Sequence, residues 1–357
     1  HAWQIGAAAN HLAYFPPELK TWPEALQSAG WTVGITGKGW APGIARTAAG
    51  EPRLMTGTVY SRRTTVPPTE RMSKNDYAAN FADFLDAAPA GKPWSFWAGP
   101  TEPHRGYTYR SGITVGGKSI DQIDRVPSYL PDDPQVREDL LDYAFAAEYF
   151  DRQLGRMLDE LERRGLIGST LVIVTGDHGM PFPRVKGFAY LDSNRVPLAV
   201  RWPDGIARAG RVISDFVDFT DLAPTLLDYA AIDARAAGME SITGKSLRPI
   251  FGSTQAGRIL AARDHVLIGR ERTDVGRPHD EGYPIRGIIT DDFLYLRNYE
   301  PSRWPAGNPE TGYLDTDGGP TKSLILERGR SDRSDRYWQL GFGFRPAGVS
   351  PALRPDG

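Results

Sequence analysis

The sequence predicts an α/β protein: a mainly parallel central sheet flanked by helices, followed by a smaller C-terminal α+β domain built on an antiparallel sheet. Short apolar runs over residues 31–36, 93–99 and 171–174 have the composition of strands buried in a parallel sheet. Helical patterns separate these runs, which is the alternation typical of α/β domains. Beyond about residue 255 the pattern changes, so we place the domains at 1–254 and 255–357.

The elements between and after these strands follow from the spacing of apolar residues. Residues 22–30 predict a helix ended by a glycine, and residues 73–88 predict a helix with one aromatic face. Residues 134–164 carry apolar side chains at helical intervals and predict a long helix. Strand patterns over 285–290 and 293–299, separated by two aspartates, predict an antiparallel hairpin.

Composition limits the classes of function. The 357 residues carry 42 Lys and Arg against 44 Asp and Glu, and a formal net charge of −2 argues against a nucleic-acid partner. No apolar run reaches the roughly 18 residues of a membrane helix, so we expect no membrane partner. The absence of cysteine excludes disulfides and a cysteine-based site within these residues, and it leaves the compartment open.

Ionisable residues follow each predicted strand, at the end where open α/β sheets bind their ligands. These candidates are Lys38, His104, Asp177, His178, Arg184 and Lys186. A carboxylate beside an imidazole suits a divalent cation, and basic side chains nearby suit an anionic substrate. Ordinary structure offers an alternative at each position: turn chemistry for Asp-His-Gly, a solvated lysine at the sheet rim, or a packing histidine.

Longer motifs surround these residues. The Asp-His-Gly sequence is followed by a basic loop and then by R-V-P-L-A-V-R-W-P. Upstream, Gly-Lys-Gly contains Lys38 and Pro-His contains His104. Downstream, the predicted hairpin begins with Y-P-I-R-x-I-x-T. This order resembles the sulfatase family of the alkaline-phosphatase superfamily, in particular its heparan N-sulfatase (sulfamidase)-like branch. Many sulfatases have a histidine two residues after the lysine, where this chain has Trp40.

The resemblance implies an alkaline-phosphatase/sulfatase-like fold and the hydrolysis of sulfate esters or sulfamates on a sugar or glycosaminoglycan. Lys38 would bridge the nucleophile and the sulfate, and His104 would bind sulfate or protonate the leaving group. The implied site residues are Lys38 and His104 as catalytic residues, Lys186 and, as second choice, Arg184 as sulfate contacts, and Asp177 and His178 as ligands of a calcium ion.

The nucleophile that the resemblance implies has no counterpart here. Sulfatases use a formylglycine made from Cys or Ser in a C/S-x-P-S/A-R motif, and an Asp pair on the first strand completes their metal site. The chain has no cysteine, and no acidic pair precedes Lys38. We therefore expect the front of the catalytic domain, with the formylglycine, to lie upstream of His1. Family members are commonly periplasmic or lysosomal, which favours a periplasmic or secreted location.

Three alternatives stay open at this point. A phosphonate or phosphate monoester hydrolase of the same superfamily would use the same metal rim. A non-catalytic remnant would bind sulfated glycan without turnover, and a structural protein with a decayed site would bind neither sulfate nor calcium. If the sheet forms as predicted, the tips of Lys38, His104 and Lys186 should converge near Asp177, at separations of roughly 4–8 Å.

Overall fold

The computed structural model describes residues 2–6, 10–40 and 42–344. The strands are β1 (Ala13–Phe15), β2 (Thr32–Gly37), β3 (Gly43–Ala45), β4 (Thr58–Val59), β5 (Trp94–Gly99), β6 (Val172–Thr175), β7 (Leu198–Arg201), β8 (His265–Arg270), β9 (Ile285–Thr290) and β10 (Leu294–Asn298). The α-helices are α1 (Trp22–Ser28), α2 (Tyr77–Ala87), α3 (Ser111–Thr114), α4 (Pro134–Arg163), α5 (Leu191–Asn194), α6 (Leu222–Tyr229), α7 (Arg248–Phe251), α8 (Pro320–Ser331) and α9 (Arg336–Gly341). Short 3-10 turns lie at Ala2–Gln4, Ile120–Gln122, Phe219–Asp221, Pro278–Asp280 and Pro309–Thr311.

The parallel part of the structure is a sheet of three strands in the order β4-β2-β5. The central strand β2 pairs in parallel with both neighbours and has four consecutive buried residues, as expected for a strand covered on both faces. Gly37 at the end of β2 lies opposite Gly99 at the end of β5. The predicted fold class is therefore confirmed, and the carboxyl ends of two strands lie side by side.

Aromatic residues of α2 attach this helix to the sheet. Phe84 is fully buried, and its ring centroid lies 4.7 Å from that of Phe96 on β5. Phe81 contacts the same ring at 4.9 Å. Gly34 of β2 lies directly beneath, where an added Cβ atom would be only 2.5 Å from the ring of Phe84. A glycine is therefore required for this helix to pack so closely on the sheet.

The long helix α4 has nearly the predicted bounds and begins where the carboxylate of Asp133 accepts a hydrogen bond from the backbone N–H of Gln135. Its first turns pack in a core cluster that also contains Phe182, Ile325 and Phe342. Residues from both sides of position 255 thus share one core, and the division into two domains at that position stays a prediction.

The strand β6, which precedes the Asp-His-Gly sequence, differs from the expectation. The sequence predicted a parallel strand, whereas β6 pairs antiparallel with β7 in a separate two-stranded sheet, with Val172 opposite Arg201. A parallel crossover normally runs through a helix that covers the sheet, and the connection here contains the four-residue helix α5. The strand still delivers Asp177 and His178 immediately beyond its carboxyl end.

The C-terminal sheet is antiparallel, in the order β10-β9-β8, and it contains the predicted hairpin as β9 and β10. Ile268, Ile285 and Ile289 bury its inner face against Ala189, which follows the basic loop. This packing brings β8 alongside the segment that carries Lys186. In the described part of the chain, no helix has both the length and the apolar character needed to cross a membrane.

Candidate active site

A cavity of about 2250 Å³ is lined by residues that follow β2, β5 and β6 and by residues from β8 and the segment before α8. Five of the six predicted site residues line it, namely Lys38, His104, Asp177, His178 and Lys186. Lys38 and His104 therefore lie at the same end of the sheet, as the predicted arrangement of parallel strands requires.

Lys38 is held against the end of β5 by its backbone. Its N–H donates to the carbonyl of Gly99 at 2.7 Å, and its own carbonyl accepts a hydrogen bond from the indole N–H of Trp97 at 3.0 Å. An added Cβ at Gly99 would lie 1.8 Å from the Lys38 carbonyl oxygen, so this approach requires a glycine. The close pairing of the two strand ends thus fixes where the side chain of Lys38 begins.

His104 follows β5 in a turn closed by a 2.8 Å hydrogen bond from its N–H to the carbonyl of Thr101. Its ring nitrogen Nδ1 contacts the carbonyl of Arg105, and Nε2 lies 3.1 Å from Nζ of Lys186. Because a carbonyl only accepts, Nδ1 carries the proton in the neutral ring, and Nε2 accepts from the ammonium.

The surroundings of His104 favour its neutral form. The ring is open to the cavity, yet the cavity walls desolvate it, and this desolvation lowers the pKa of His104 below its ordinary value. The positive charge of Lys186, and to a smaller extent that of Lys38, lowers this pKa further. The Arg105 carbonyl and Asp317 act in the opposite direction, without reversing the shift.

Lys186 forms the centre of the basic part of the site. Its ammonium lies 2.6 Å from Oδ2 of Asp317, and the two side chains are 16% and 23% exposed. Its 3.1 Å distance to His104 is shorter than the 4–8 Å expected from the sequence, because the two side chains are in direct hydrogen-bond contact. Sequence reasoning missed Asp317, although the Asp-rich segment before α8 was a signal for it.

Asp177 and His178 lie at the open edge of the same cavity. Oδ1 of Asp177 is 3.6 Å from Nε2 of His178, and the Asp177 side chain is 78% exposed. The other ring nitrogen, Nδ1 of His178, is 2.7 Å from the carbonyl of Gly179. A Cβ at Gly179 would be 1.8 Å from the Asp192 carbonyl oxygen, so the glycine of the Asp-His-Gly sequence is needed for a close backbone contact.

These two residues do not make a complete calcium site by themselves. Among residues 2–6, 10–40 and 42–344, no group of three or more His, Cys, Asp or Glu is arranged to hold a metal ion. Calcium prefers about 6–8 oxygen ligands, and Asp177 and His178 together offer one carboxylate and one imidazole. The described residues therefore do not fit a calcium ion without further ligands.

Arg184 does not join the other predicted site residues. Its backbone has a positive φ of 70°, and its guanidinium lies 3.9 Å from the ring centroid of Tyr190. The same side chain approaches the carbonyl of Leu340 on α9 at 3.4 Å. Arg184 thus packs on an aromatic ring and contacts a helix end, and of the two basic residues only Lys186 lines the cavity.

Comparison with known proteins shows extensive similarity to one family. The sequence model of the family described as Sulfatase matches residues 5–232. Human N-sulphoglucosamine sulphohydrolase is 36% identical over 216 residues, covering 56% of this chain and 43% of that protein. An ulvan-active sulfatase of Formosa agariphila is 29% identical over 185 residues, covering 52% of this chain and 28% of that protein. The chain thus spans less than half the length of these relatives.

Solved structures share the fold over most of the chain. A protein in complex with its substrate D-glucosamine-2-N,6-O-disulfate gives a TM-score of 0.55 at 16% identity, covering 95% of this chain and 86% of that one. A protein from the metabolism of multiple glycosaminoglycans by Bacteroides thetaiotaomicron gives 0.57 at 15% identity, covering 92% and 80%. At these identities the likeness is one of fold.

Proposed function

This chain belongs to the sulfatase family, and we propose that its cavity binds the substrate of an enzyme that hydrolyses sulfate esters or sulfamates on a sugar. Sulfate monoesters and sulfamates each present three sulfuryl oxygens and one negative charge. Such a group needs several charge-assisted donors directed at one point, since these bonds are stronger than neutral ones. The cavity contains a set of donors of this kind.

The contact between Lys186 and His104 is the observation that carries the proposal. An ammonium and an imidazole 3.1 Å apart, on the wall of a cavity that Lys38 also lines, form a basic surface for one small anion. Lys186 and Lys38 would bind the sulfuryl oxygens and stabilise the charge that develops on them during transfer. In this structure Nε2 of His104 accepts from Lys186, so His104 would bind the sulfuryl group or protonate the leaving oxygen or nitrogen only after Nε2 takes up a proton.

The nucleophile is a further part of the proposal. We propose a formylglycine for the complete enzyme, as the family resemblance implies, although the 357 residues contain no cysteine and no serine followed two residues later by proline. A divalent cation held in part by Asp177 and His178 is also proposed. The described residues do not complete its coordination, and the roles proposed for Lys38, His104 and Lys186 do not require it.

A sulfated amino sugar is the substrate class that the comparisons favour. The relative with 36% identity is named for the hydrolysis of N-sulphoglucosamine, and the structural neighbour with bound substrate holds a glucosamine that carries N- and O-sulfate. Both are statements about those proteins. For this chain we propose a glucosamine-type sugar with a sulfamate or sulfate ester group.

Turnover by the full-length protein that contains this chain tests the proposal. We expect hydrolysis of N-sulfoglucosamine or 4-nitrophenyl sulfate, and we expect Lys38→Ala and Lys186→Ala each to lower kcat/KM by about 10²-fold, as loss of a transition-state charge contact does. Lys92→Ala is a matched control, because Lys92 is exposed just before β5, at the opposite end of that strand from His104.

Two results would overturn this assignment. Faster hydrolysis of 4-nitrophenyl phosphate than of the sulfate, with the same dependence on Lys186, would favour a phosphate monoester hydrolase. Binding of sulfated glycan without turnover of any ester would favour a glycan-binding protein.

A further inference from the structure

We propose that Asp317 is a positioning residue of this site: its carboxylate holds the ammonium of Lys186 against Nε2 of His104. The role of this contact in turnover rests on the proposed function, whereas the contact itself can be measured without any turnover. Asp317 lies in the segment before α8 and lines the same cavity as Lys186.

The backbone immediately before Asp317 is anchored by two buried contacts. The carboxylate of Asp315 is fully buried and accepts from the guanidinium of Arg277 at 2.7 Å. The carbonyl of Thr316 accepts from the ammonium of Lys322 at 2.7 Å. These buried contacts fix the two residues before Asp317, so its short side chain starts from a well-defined place.

Lys186 distributes its three N–H donors in a way that suits an anion site. One points to Asp317 at 2.6 Å, and a second is donated to Nε2 of His104 at 3.1 Å. The third is left for a ligand. A lysine side chain has four rotatable methylene groups and loses considerable freedom when it is held in one place. Asp317 imposes that order before the substrate arrives.

The same contact fixes the proton arrangement of His104. Its Nδ1–H is donated to the carbonyl of Arg105, so Nε2 is the acceptor for Lys186. The charged groups that act on the ring are Lys186, Asp317 and Lys38. Asp317 accepts one hydrogen bond from the ammonium, and the positive charge of Lys186 favours an unprotonated Nε2. The three side chains Asp317, Lys186 and His104 therefore act as one chain of hydrogen bonds.

Histidine NMR of the chain tests the geometry directly. The sequence has six histidines, so the His104 signal can be assigned with a His104→Gln variant. Lys186→Met removes the donor to Nε2 of His104, and we expect the ¹⁵N resonance of Nε2 to move away from its wild-type position. Asp317→Ala should move the same resonance in the same direction and to a similar extent. The double variant should add little, because both changes remove one contact.

Asp291→Ala is the control, since Asp291 lines the same cavity but pairs with Arg258. It should leave the His104 resonance unchanged. Asp317→Asn keeps the side-chain shape and removes the charge, so it decides the question if the alanine variant does not fold. A His104 resonance that responds to Lys186→Met and stays at its wild-type position in both Asp317 variants overturns the proposal.

Turnover supplies the second readout. In the full-length protein, Asp317→Ala should lower kcat/KM on the order of 10- to 10²-fold, because a small displacement of a catalytic group has effects of this size. Asp132→Ala, a carboxylate outside the cavity that pairs with Arg137 at the surface, should not change it. If no sulfatase turnover is found at all, the proposed function fails while the NMR result still decides the role of Asp317. Unchanged turnover in Asp317→Ala would contradict the positioning role.

Discussion

The guanidinium of Arg105 and the carboxylate of Asp139 form a buried bidentate ion pair, with nitrogen–oxygen distances of 2.7 and 2.8 Å. The side chains are 6% and 1% exposed. Asp139 also accepts from the hydroxyl of Thr321 at 2.6 Å, and Arg105 donates to the carbonyl of Pro181 at 2.7 Å. The pair thus connects α4, the start of α8 and the basic loop to the residue whose carbonyl orients His104.

Loss of the Asp139 carboxylate should strongly destabilise the fold. Asp139→Ala leaves the guanidinium of Arg105 buried without a counter-charge, and breaking a buried pair in this way typically costs about 3–5 kcal/mol. Chemical denaturation followed by circular dichroism measures the change in unfolding free energy. Asp132→Ala is the control: Asp132 pairs with Arg137 at the surface and is 62% exposed, so its loss should hardly alter the curve.

The titration of His104 is the second prediction. The pKa of His104 is lowered from the ordinary histidine value near 6.5. The ring is therefore neutral at pH 7 and takes up a proton only when the pH falls below that ordinary value. Lys186→Met removes a neighbouring positive charge, and since that charge disfavours the imidazolium, the pKa should rise. NMR titration measures both values, and Lys92→Met, at the opposite end of β5, should leave the pKa unchanged. A wild-type pKa above 6.5 would contradict the geometry.

Much of the fold and part of the site could be predicted from the sequence. The long run of apolar residues at helical intervals predicted α4 over almost its full length. The apolar runs predicted β2 and β5, because a strand covered on both faces consists mostly of apolar residues. The position of Lys38 and His104 at one cavity could be predicted because each lies just beyond the end of such a strand. Parallel strands bring their carboxyl ends together, so local patterns sufficed to predict a shared cavity.

Other features depend on contacts that a local pattern does not contain. Asp317 lies 131 positions from Lys186 and follows no strand, so its ion pair required the packing of α8 on α4. Arg184 and Lys186 are equally basic in sequence, and only the backbone turn at Arg184 and the nearby ring of Tyr190 distinguish them. The prediction of parallel pairing for β6 was wrong, because an apolar run does not specify whether the neighbouring strand is parallel or antiparallel.

Asp315 is the basis of the third prediction. Oδ2 of this fully buried carboxylate contacts the guanidinium groups of both Arg270 and Arg277. Burial lowers the pKa of Arg270 to about 10, and the charge of Asp315 opposes that effect. Asp315→Ala leaves two buried cations without a counter-charge, and we expect a loss of at least about 3–5 kcal/mol in unfolding free energy.

Asp291→Ala is the comparison for this measurement. Asp291 also pairs with an arginine, Arg258, but its side chain is 66% exposed. Surface pairs of this kind contribute about 0–1 kcal/mol. Equal stability losses in the Asp315 and Asp291 variants would show that burial of the Arg270–Asp315–Arg277 cluster does not matter for the fold.

Calcium binding is the last prediction. The proposed cation ligands are the carboxylate of Asp177 and the imidazole of His178. Two ligands fall well short of the about 6–8 oxygens that calcium prefers. We therefore expect residues 1–357, after removal of metal with a chelator, to show no tight stoichiometric calcium binding by calorimetry. If calcium binds weakly at Asp177 and His178, the heat of this binding should disappear in Asp177→Asn and persist in the control Asp291→Asn. Tight binding of one calcium ion that persists in Asp177→Asn would place the cation elsewhere. Tight binding that is abolished by Asp177→Asn would mean that the described residues rearrange to supply further ligands.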